Sequence, residues 1–409
     1  MKVIPLKIDK IQEAKKYMQD VGATSYGVGI MAPKAVYYAF KVEGISSFAA
    51  NIIKQHMLSL GSDAAISRDA ILKKIKTSLI IFGNLSQLKR LITKLRNQPF
   101  ELKKLGTRLE DVLRNYIKNG LVFGARGRVL KTTKPLICGI INLTPDSFAG
   151  DGLLSKIPNP QAQIPKLVLR KVEEMVKYGA KFIDMGGEST RPFAKPVSED
   201  EEIRRVMPAL REVRKRFTEL FISVDTYKYK VAKAAAEEGA DVINDITALR
   251  KFPQMVSLIK KYKLGCILMH MKGTPKTMQV KPTYRNVIEE IFHFLDKRVT
   301  FCLDQGIDKD QLMIDPGIGF GKTLKDNLKI LNGLCVFKSL GLPIFLGVSK
   351  KSFIGKILNV DVDKRLIGTV AAIVVSLANG ANVFRVHDVK EANQALKVAN
   401  QIIKACQNS

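Results

Sequence analysis

The chain has 409 residues, 46% hydrophobic and 26% charged, with 67 basic against 38 acidic residues and a net charge of +29. That length predicts two folded domains, and the composition excludes a disordered or fibrous chain. No stretch reaches the roughly 18 uncharged apolar residues of a membrane helix, and no apolar leader follows Met1, so no membrane partner and a cytoplasmic location are expected. Five scattered cysteines (Cys138, Cys266, Cys302, Cys335 and Cys406) form no C-x-x-C pair, which argues for buried thiols and against a disulfide or zinc framework. The lysines are spread along amphipathic segments such as Lys73-Lys74-Ile75-Lys76, with no arginine-rich tail and no RNA-binding aromatic signature. The basicity therefore reads as compositional background, of modest use to anionic substrates, and nucleic acid is not an expected partner.

From the N-terminus, short apolar runs at Val28–Met31, Ala35–Val42 and Ser78–Phe82 alternate with amphipathic helices. The helices are expected over Ile11–Asp20, Phe48–Leu60, Leu85–Arg96 and Leu109–Lys118. This is a small α+β domain, with 23 basic against 9 acidic residues through Leu130 and no catalytic constellation. The glycine- and arginine-containing segment Phe123–Arg128 is read as the connection, placing the domains at 1–128 and 129–409.

After Pro135 the pattern becomes regular. Apolar runs recur at Leu136–Ile141, Phe182–Met185, Phe221–Val224, Val242–Ile246, Cys266–Met269, Leu312–Ile314, Ile344–Val348 and Val383–Val386. Helical stretches lie between them, at Leu167–Tyr178, Asp200–Arg216, Tyr229–Glu238, Val287–Leu303 and Leu366–Ala378. Continuous apolar strands imply burial on both faces, as parallel sheets require. The expected fold class is α/β, a (β/α)8 TIM barrel preceded by the smaller α+β domain, with a doubly wound sheet as the alternative.

Nearly every run ends in polar or glycine-rich sequence. The ends read Asn142-Leu143-Thr144-Pro145-Asp146-Ser147-Phe148, Asp184 to Pro192, Asp225-Thr226, Asn244-Asp245, Met269-His270, Asp315 to Lys322, Ser349 to Ser352 and Arg385 to Asp388. In a barrel these ends converge on one mouth. Separate helix caps could explain single positions, Asp225 and Ser349 above all. A shared polar ligand or a mutual network explains the whole set better, because an isolated buried polar group is costly. Gly317 to Thr323 is not a Walker loop, since Pro316 stands where the first glycine is needed, and the dinucleotide fingerprint fails in its spacing.

From about Cys138 to the C-terminus these motifs resemble the dihydropteroate synthase family, the folate-pathway enzymes that join 4-aminobenzoate to a pterin diphosphate. The resemblance is carried by Asn142 to Phe148, Gly187-Glu188-Ser189-Thr190-Arg191-Pro192, Asp315 to Lys322, and Arg385-Val386-His387-Asp388-Val389. It implies that Asp225, Asn244, Asp315 and Lys351 hold the pterin, with Met269 against its face. It assigns the diphosphate to Arg385 and His387, magnesium to Asn142, and the walls around 4-aminobenzoate to Phe320 and Lys322. Ser352 would seat the arylamine carboxylate. Two loops, Leu143–Gly152 and Gly186–Pro196, would close and bring in Asp146, Thr190, Arg191 and Pro192. The catalytic set is then Lys351, Arg385, His387 and Asp146, and a homodimer is implied. An ion pair with Lys351 is a second reading of Asp315, and Asp184 either meets the ligand or supports a loop.

A neutral arylamine attacking a pterin methylene cation needs no strong general base, in keeping with the absence of a serine–histidine or cysteine–histidine arrangement. Phe193 stands where the family usually has glycine, and Lys350 where arginine is usual; Ala149 to Gly152 lacks a usual serine. The alternatives are a corrinoid-linked pterin methyltransferase, which would lack the Arg385/His387 anion site, and a non-catalytic basic binding protein on the same barrel.

Overall fold

The computed structural model describes residues 1–71, 73–99, 101–144, 160–189, 196–275 and 277–405. The chain divides into two compact units, Met1–Ile117 together with Ile402–Ser409, and Lys118–Gln401.

In the first unit, α1 (Ile11–Asp20) and α2 (Ser25–Ala35) precede β1 (Tyr37–Ser46) and α3 (Ser47–Ser59). Next come β2 (Asp63–Ile66), β3 (Lys76–Asn84), α4 (Leu85–Arg96) and α5 (Leu102–Ile117). The run Val28–Met31 lies inside α2, whereas Ser78–Phe82 lies in β3. The sheet is antiparallel in the order β1-β3-β2. Strand β3 alternates strictly, burying Thr77, Leu79, Ile81 and Gly83. Leu79 and Ile81 share one core with Ile53 and Met57 of α3, Leu88, Leu91 and Leu95 of α4, and Leu109 and Leu113 of α5. Asn84 and Gln87 form the capping box that starts α4, each side chain accepting the other's backbone N–H at 2.9 Å.

The second unit begins with a hairpin, β4 (Leu121–Ala125) and β5 (Arg128–Thr132). The barrel strands follow: β6 (Leu136–Asn142), β7 (Phe182–Gly186), β8 (Phe221–Asp225), β9 (Val242–Asp245), β10 (Gly265–Met269), β11 (Leu312–Asp315), β12 (Phe345–Gly347) and β13 (Val383–Val386). The helices that matter below are α6 (Pro160–Lys177), α7 (Glu199–Arg216), α8 (Tyr229–Glu237), α9 (Gln254–Tyr262), α10 (Val287–Asp304), α11 (Leu324–Asn332), α12 (Ser352–Leu358), α13 (Leu366–Ala378) and α14 (Val389–Ala405). Neighbouring strands are parallel in the order β11-β10-β9-β8-β7-β6-β13-β12, and the bridge Ile314–Ile344 closes the ring. This is the expected (β/α)8 barrel.

Alternate residues of each strand face opposite ways. Ile183, Ile222, Ile243, Leu268, Ile314, Leu346, Phe384 and Val386 enter the outer core under the helices. Cys138, Phe182, Phe221, Val242, Ile267, Met313, Phe345 and Val383 fill the floor inside the barrel. Phe123 of β4 belongs to that floor, with its ring centroid 5.7 Å from Phe182 and 5.9 Å from Phe221. Gly265 makes the room for it: a Cβ there would come within 2.3 Å of the Phe123 ring.

Phe123–Arg128, read from composition as a connection, is therefore part of the barrel floor, and the residue 128/129 boundary falls inside its hairpin. Arg126 and Gly127 have φ of 50° and 76° and form a two-residue turn between the paired Ala125 and Arg128. Positive φ at both central positions is the type I′ geometry that matches strand twist. Arg128 donates to Asp241 Oδ1 at 2.5 Å, and its guanidinium lies 4.4 Å from the Phe221 ring centroid. Glycine and arginine here serve a turn and an anchor.

Candidate active site

Above the aromatic floor, the inward positions turn polar. Asp184 pairs in register with Ser223, Asp225 with Asn244, Met269 with Asp315 and Gly347 with Arg385. The sheet thus gathers carboxylates, an amide, a thioether and a guanidinium into one belt. Asp225, Asn244, Met269, Asp315 and Arg385 all lie on it, at inward positions of their strands.

Arg385 spans the belt. Its Nε donates to Asp184 Oδ2 at 2.5 Å and its Nη2 to Asp225 Oδ2 at 3.2 Å. Asn244 Nδ2 donates to the same Asp184 oxygen at 3.1 Å. Burial and then the neighbouring Asp184 carboxylate push Asp225 up to about 7, although Arg385 opposes the shift. Asp225 is not a helix cap: Lys228 occupies that position before α8. Asp184, read from the sequence as either a ligand contact or a loop support, is 0% exposed and holds both Arg385 and Asn244.

Asp315 ends β11, and Lys351 follows β12 with its ammonium close to Gly347, the register partner of Arg385. The Lys351 ammonium donates to the Ile318 carbonyl and lies 4.8 Å from the Phe320 ring centroid. Burial lowers it to about 8, with Asp315 opposing and Arg385 adding to the effect. Asp315 Oδ1 accepts from the Gly317 N–H at 2.7 Å. Burial raises the Asp315 carboxyl even though Lys351 opposes the shift. Met269 packs with Ile246, Met271, Met278, Tyr227 and Phe320 in an apolar wall beside these polar groups. A flat ring with hydrogen-bonding edges suits such a slot.

The loop Asp315–Lys322 lies directly on the backbone after β10. Gly317, with φ of 71°, sits where a Cβ would fall 1.9 Å from the His270 carbonyl oxygen. Lys322 is 2% exposed and its ammonium is directed inward. It donates to the Phe320 carbonyl at 3.0 Å and lies 3.0 Å from His270 Nδ1. Burial and then Lys322 lower His270 to about 2, so its ring is neutral and Nδ1 accepts. Lys322 thus ties the loop to the strand end.

His387 follows β13, with Nδ1 2.9 Å from Ser349 Oγ, while its backbone N–H donates to the same hydroxyl at 3.2 Å. Ser349 accordingly holds His387 and caps no helix; the residue before α12 is Lys351. Lys350, in a left-handed conformation with φ of 57°, pairs with Asp388 at 3.0 Å. Ser352 opens α12 and is exposed. Asn142 ends β6 opposite Gly186 in register. Asp146, Thr190, Arg191 and Pro192 lie outside the described residues, as does Phe193. The flank of the second loop is firmly held: Lys228 donates to Glu188, to Glu202 at 2.7 Å and to the Val197 carbonyl at 2.6 Å. Spacing along the chain gave no hint of this clamp, because Glu188 and Lys228 come from successive strand ends.

Among the described residues no group of three or more His, Cys, Asp or Glu side chains could hold a metal ion. Cys138, paired in register with Arg385, has its thiol pushed up by burial and by Asp184, so it is no nucleophile. The belt offers carboxylate and amide acceptors, an apolar wall and cations, with no residue set for covalent attack.

Residues 138–387 match the family of pterin binding enzymes. The dihydropteroate synthase of Haemophilus influenzae is 43% identical over 274 residues, covering 67% of this chain and 96% of that protein. A Yersinia pestis dihydropteroate synthase solved with a sulfonamide drug complex is 38% identical, with a TM-score of 0.64, covering 70% of this chain and all of that one. The Xanthomonas albilineans dihydropteroate synthase solved with 4-aminobenzoic acid is 35% identical, with a TM-score of 0.63, covering 70% of this chain and 99% of that one.

Proposed function

The chain belongs to the dihydropteroate synthases, pterin-binding transferases of folate biosynthesis, and from that premise we propose how its barrel mouth carries out the reaction. The observation that carries the assignment of roles is the belt itself: Asp225, Asn244, Asp315 and Arg385 lie on inward strand positions, Arg385 reaches Asp225, and the Lys351 ammonium feels Asp315, Arg385 and Asp225. A reduced pterin presents a guanidine-like donor edge and a ring carbonyl. Asp225, Asn244 and Asp315 accept from the donor edge, and the Lys351 ammonium donates to the carbonyl. Met269 and Phe320 cover the ring face.

The substrates are the pterin diphosphate and 4-aminobenzoate. The bond between the pterin methylene carbon and the diphosphate oxygen breaks, and its electron pair leaves with diphosphate. The arylamine nitrogen then forms the new carbon–nitrogen bond and releases one proton. Arg385 and His387 stabilise the charge developing on the leaving group. Phe320 flanks the arylamine, and Ser352 receives its carboxylate at the start of α12. Lys322 acts here as the tie that sets Phe320. Asp146, Thr190, Arg191 and Pro192 are assigned to the closing loops by the family motifs alone.

Magnesium fits the donor chemistry of this corner. One amide oxygen, from Asn142, suits a hard cation that keeps most of its waters and binds phosphate oxygens. It would supply neutralisation of the diphosphate charge. Cytoplasmic residence accords with the free cysteines Cys138, Cys266, Cys302 and Cys335, and among the described residues no helix is long and apolar enough to cross a membrane. A homodimer is supported by α13, where Ile367 and Val375 are 81% and 52% exposed and lie with the exposed Ala371 on one face.

The test is a coupled assay for dihydropteroate and diphosphate, with magnesium, on the full chain. Lys351→Ala and Arg385→Ala are each expected to lower turnover by about a hundredfold or more. Turnover in either variant close to that of the unaltered chain would remove the role given to that residue.

A further inference from the structure

Three buried polar atoms on adjacent strands make no hydrogen bond among the described residues: Asp184 Oδ1 on β7, Ser223 Oγ on β8 and Asn244 Oδ1 on β9. They face the interior from neighbouring strands, and Asp184 pairs directly with Ser223. A buried carboxylate placed only for stability would satisfy both oxygens. Asp184 satisfies one of them twice, with Arg385 Nε at 2.5 Å and Asn244 Nδ2 at 3.1 Å, and leaves the other bare.

The doubly used oxygen has a chemical consequence. A carboxylate only accepts, so Asn244 must turn its NH2 group to Asp184 and its carbonyl oxygen away. Rotating the amide by half a turn would set its carbonyl against a buried carboxylate. Asn244 is thereby fixed as an acceptor, and no donor among the described residues reaches its Oδ1. The same oxygen fixes the Arg385 guanidinium by Nε, leaving Nη2 to Asp225.

We propose that Asp184 is a positioning residue that couples the pterin slot to the diphosphate corner. Through one oxygen it orients Asn244 as an acceptor for the pterin donor edge and aims Arg385 at the leaving group. The proposal rests on the division of the mouth into those two subsites. Its signature is selective: two ligand fragments that do not touch each other both depend on one side chain that neither assignment includes.

The experiment measures equilibrium binding of two probes to the full chain, 6-hydroxymethylpterin without its diphosphate, and inorganic diphosphate. Asp184→Asn is nearly isosteric, and it is expected to weaken both probes by about tenfold or more. Asn244→Asp alone sets two carboxylates against each other and weakens the pterin probe. The double variant Asp184→Asn/Asn244→Asp reverses the polarity of the pair, with the new amide donating to the new carboxylate. It is expected to regain pterin affinity to within about threefold of the unaltered chain, while diphosphate stays weak because the charge has moved away from Arg385 Nε. A merely structural role would not restore one ligand and leave the other impaired. Should the single variant fail to fold, the double variant keeps the number of buried charges and decides by the same comparison. Unaltered affinity for both probes in Asp184→Asn, or a double variant no better than its two parents combined, overturns the proposal. An unsubstituted chain that binds neither probe overturns the pterin and diphosphate assignment as well; one that binds both while Asp184→Asn is unimpaired overturns this inference alone.

Discussion

Replacing Lys228 by methionine tests whether a buried charge holds the stems of the second mouth loop. Lys228 joins Glu188, the Val197 carbonyl and Glu202, and Glu202 is 1% exposed. Methionine keeps much of the volume and removes the cation, so the two carboxylates face each other with little water. Taking one partner from a buried ionic group costs about 3–5 kcal/mol. For a domain of this size that lowers the unfolding midpoint by roughly 6–20 °C. Glu202 sets the sign of the pH dependence. Burial already raises its carboxyl, and Lys228 is the chief group opposing that shift, so its loss raises the carboxyl further. A carboxyl whose folded value lies above its unfolded value binds more protons when folded. Its contribution to stability is then complete below about 4.3 and lost as pH rises through the folded value. The deficit of Lys228→Met should therefore be smaller near about pH 5 than near about pH 8. Thermal unfolding of both proteins across that range measures size and sign together. A midpoint change under about 2 °C, or a deficit that grows as pH falls, refutes the clamp. Because Glu188 and Val197 bracket Thr190 to Pro192 in the chain, the KM for 4-aminobenzoate should rise in the same variant.

The unliganded protein should lose stability between about pH 4 and pH 7, because Asp225, held up to about 7, is protonated in the folded state below that value and must ionise above it. Denaturant unfolding against pH measures the slope, and Asp225→Asn should flatten it; an unchanged slope counts against the burial of that carboxylate. Gly317→Ala would place a methyl 1.9 Å from the His270 carbonyl oxygen at a φ of 71°. It should reduce kcat/KM more than about tenfold through displacement of the Asp315–Lys322 loop, and full activity in the assay would show that the loop yields without consequence. Phe123→Ala should cost about 3–5 kcal/mol, the usual range for emptying a large buried aromatic site. A loss below about 1 kcal/mol in denaturant unfolding would show that the hairpin is not part of the barrel floor.

The recurring apolar runs with polar ends made the barrel and its mouth legible from the sequence, and the family motifs named Asp225, Asn244, Met269, Asp315 and Arg385 within it. What the sequence concealed depends on contacts made far along the chain. Phe123–Arg128 carries the composition of a linker, and only its meeting with Gly265 and Asp241 makes it a floor. Lys322 carries the charge of a ligand-binding residue, and only the proximity of His270 and the Phe320 carbonyl shows that its ammonium is already engaged. Asp245 illustrates the opposite case. It stands at a strand end like the others, yet it accepts from the Thr247 and Leu249 N–H groups at 2.6 and 2.9 Å and serves the local turn.

The charge balance of the belt explains why so many polar groups are retained where burial penalises them. Three carboxylates, Asp184, Asp225 and Asp315, share the mouth with two cations, Arg385 and Lys351. Burial acts on the two kinds of group in opposite directions: it holds Asp225 and Asp315 above the ordinary carboxyl range and Lys351 below the ordinary ammonium range. In the proposed arrangement a pterin would bring a row of N–H donors to the carboxylates and a carbonyl to the ammonium, so binding would relieve both without adding net charge. The diphosphate would bring negative charge that Asp184 and Asp225 repel unless Arg385 lies between them. On that assignment the mouth separates the ring from its leaving group, and a neutral pterin should bind with little dependence on salt while diphosphate should weaken as salt rises. Titrating each ligand against ionic strength measures that separation, and equal salt dependence for the two would show that the mouth acts as one undivided charged pocket.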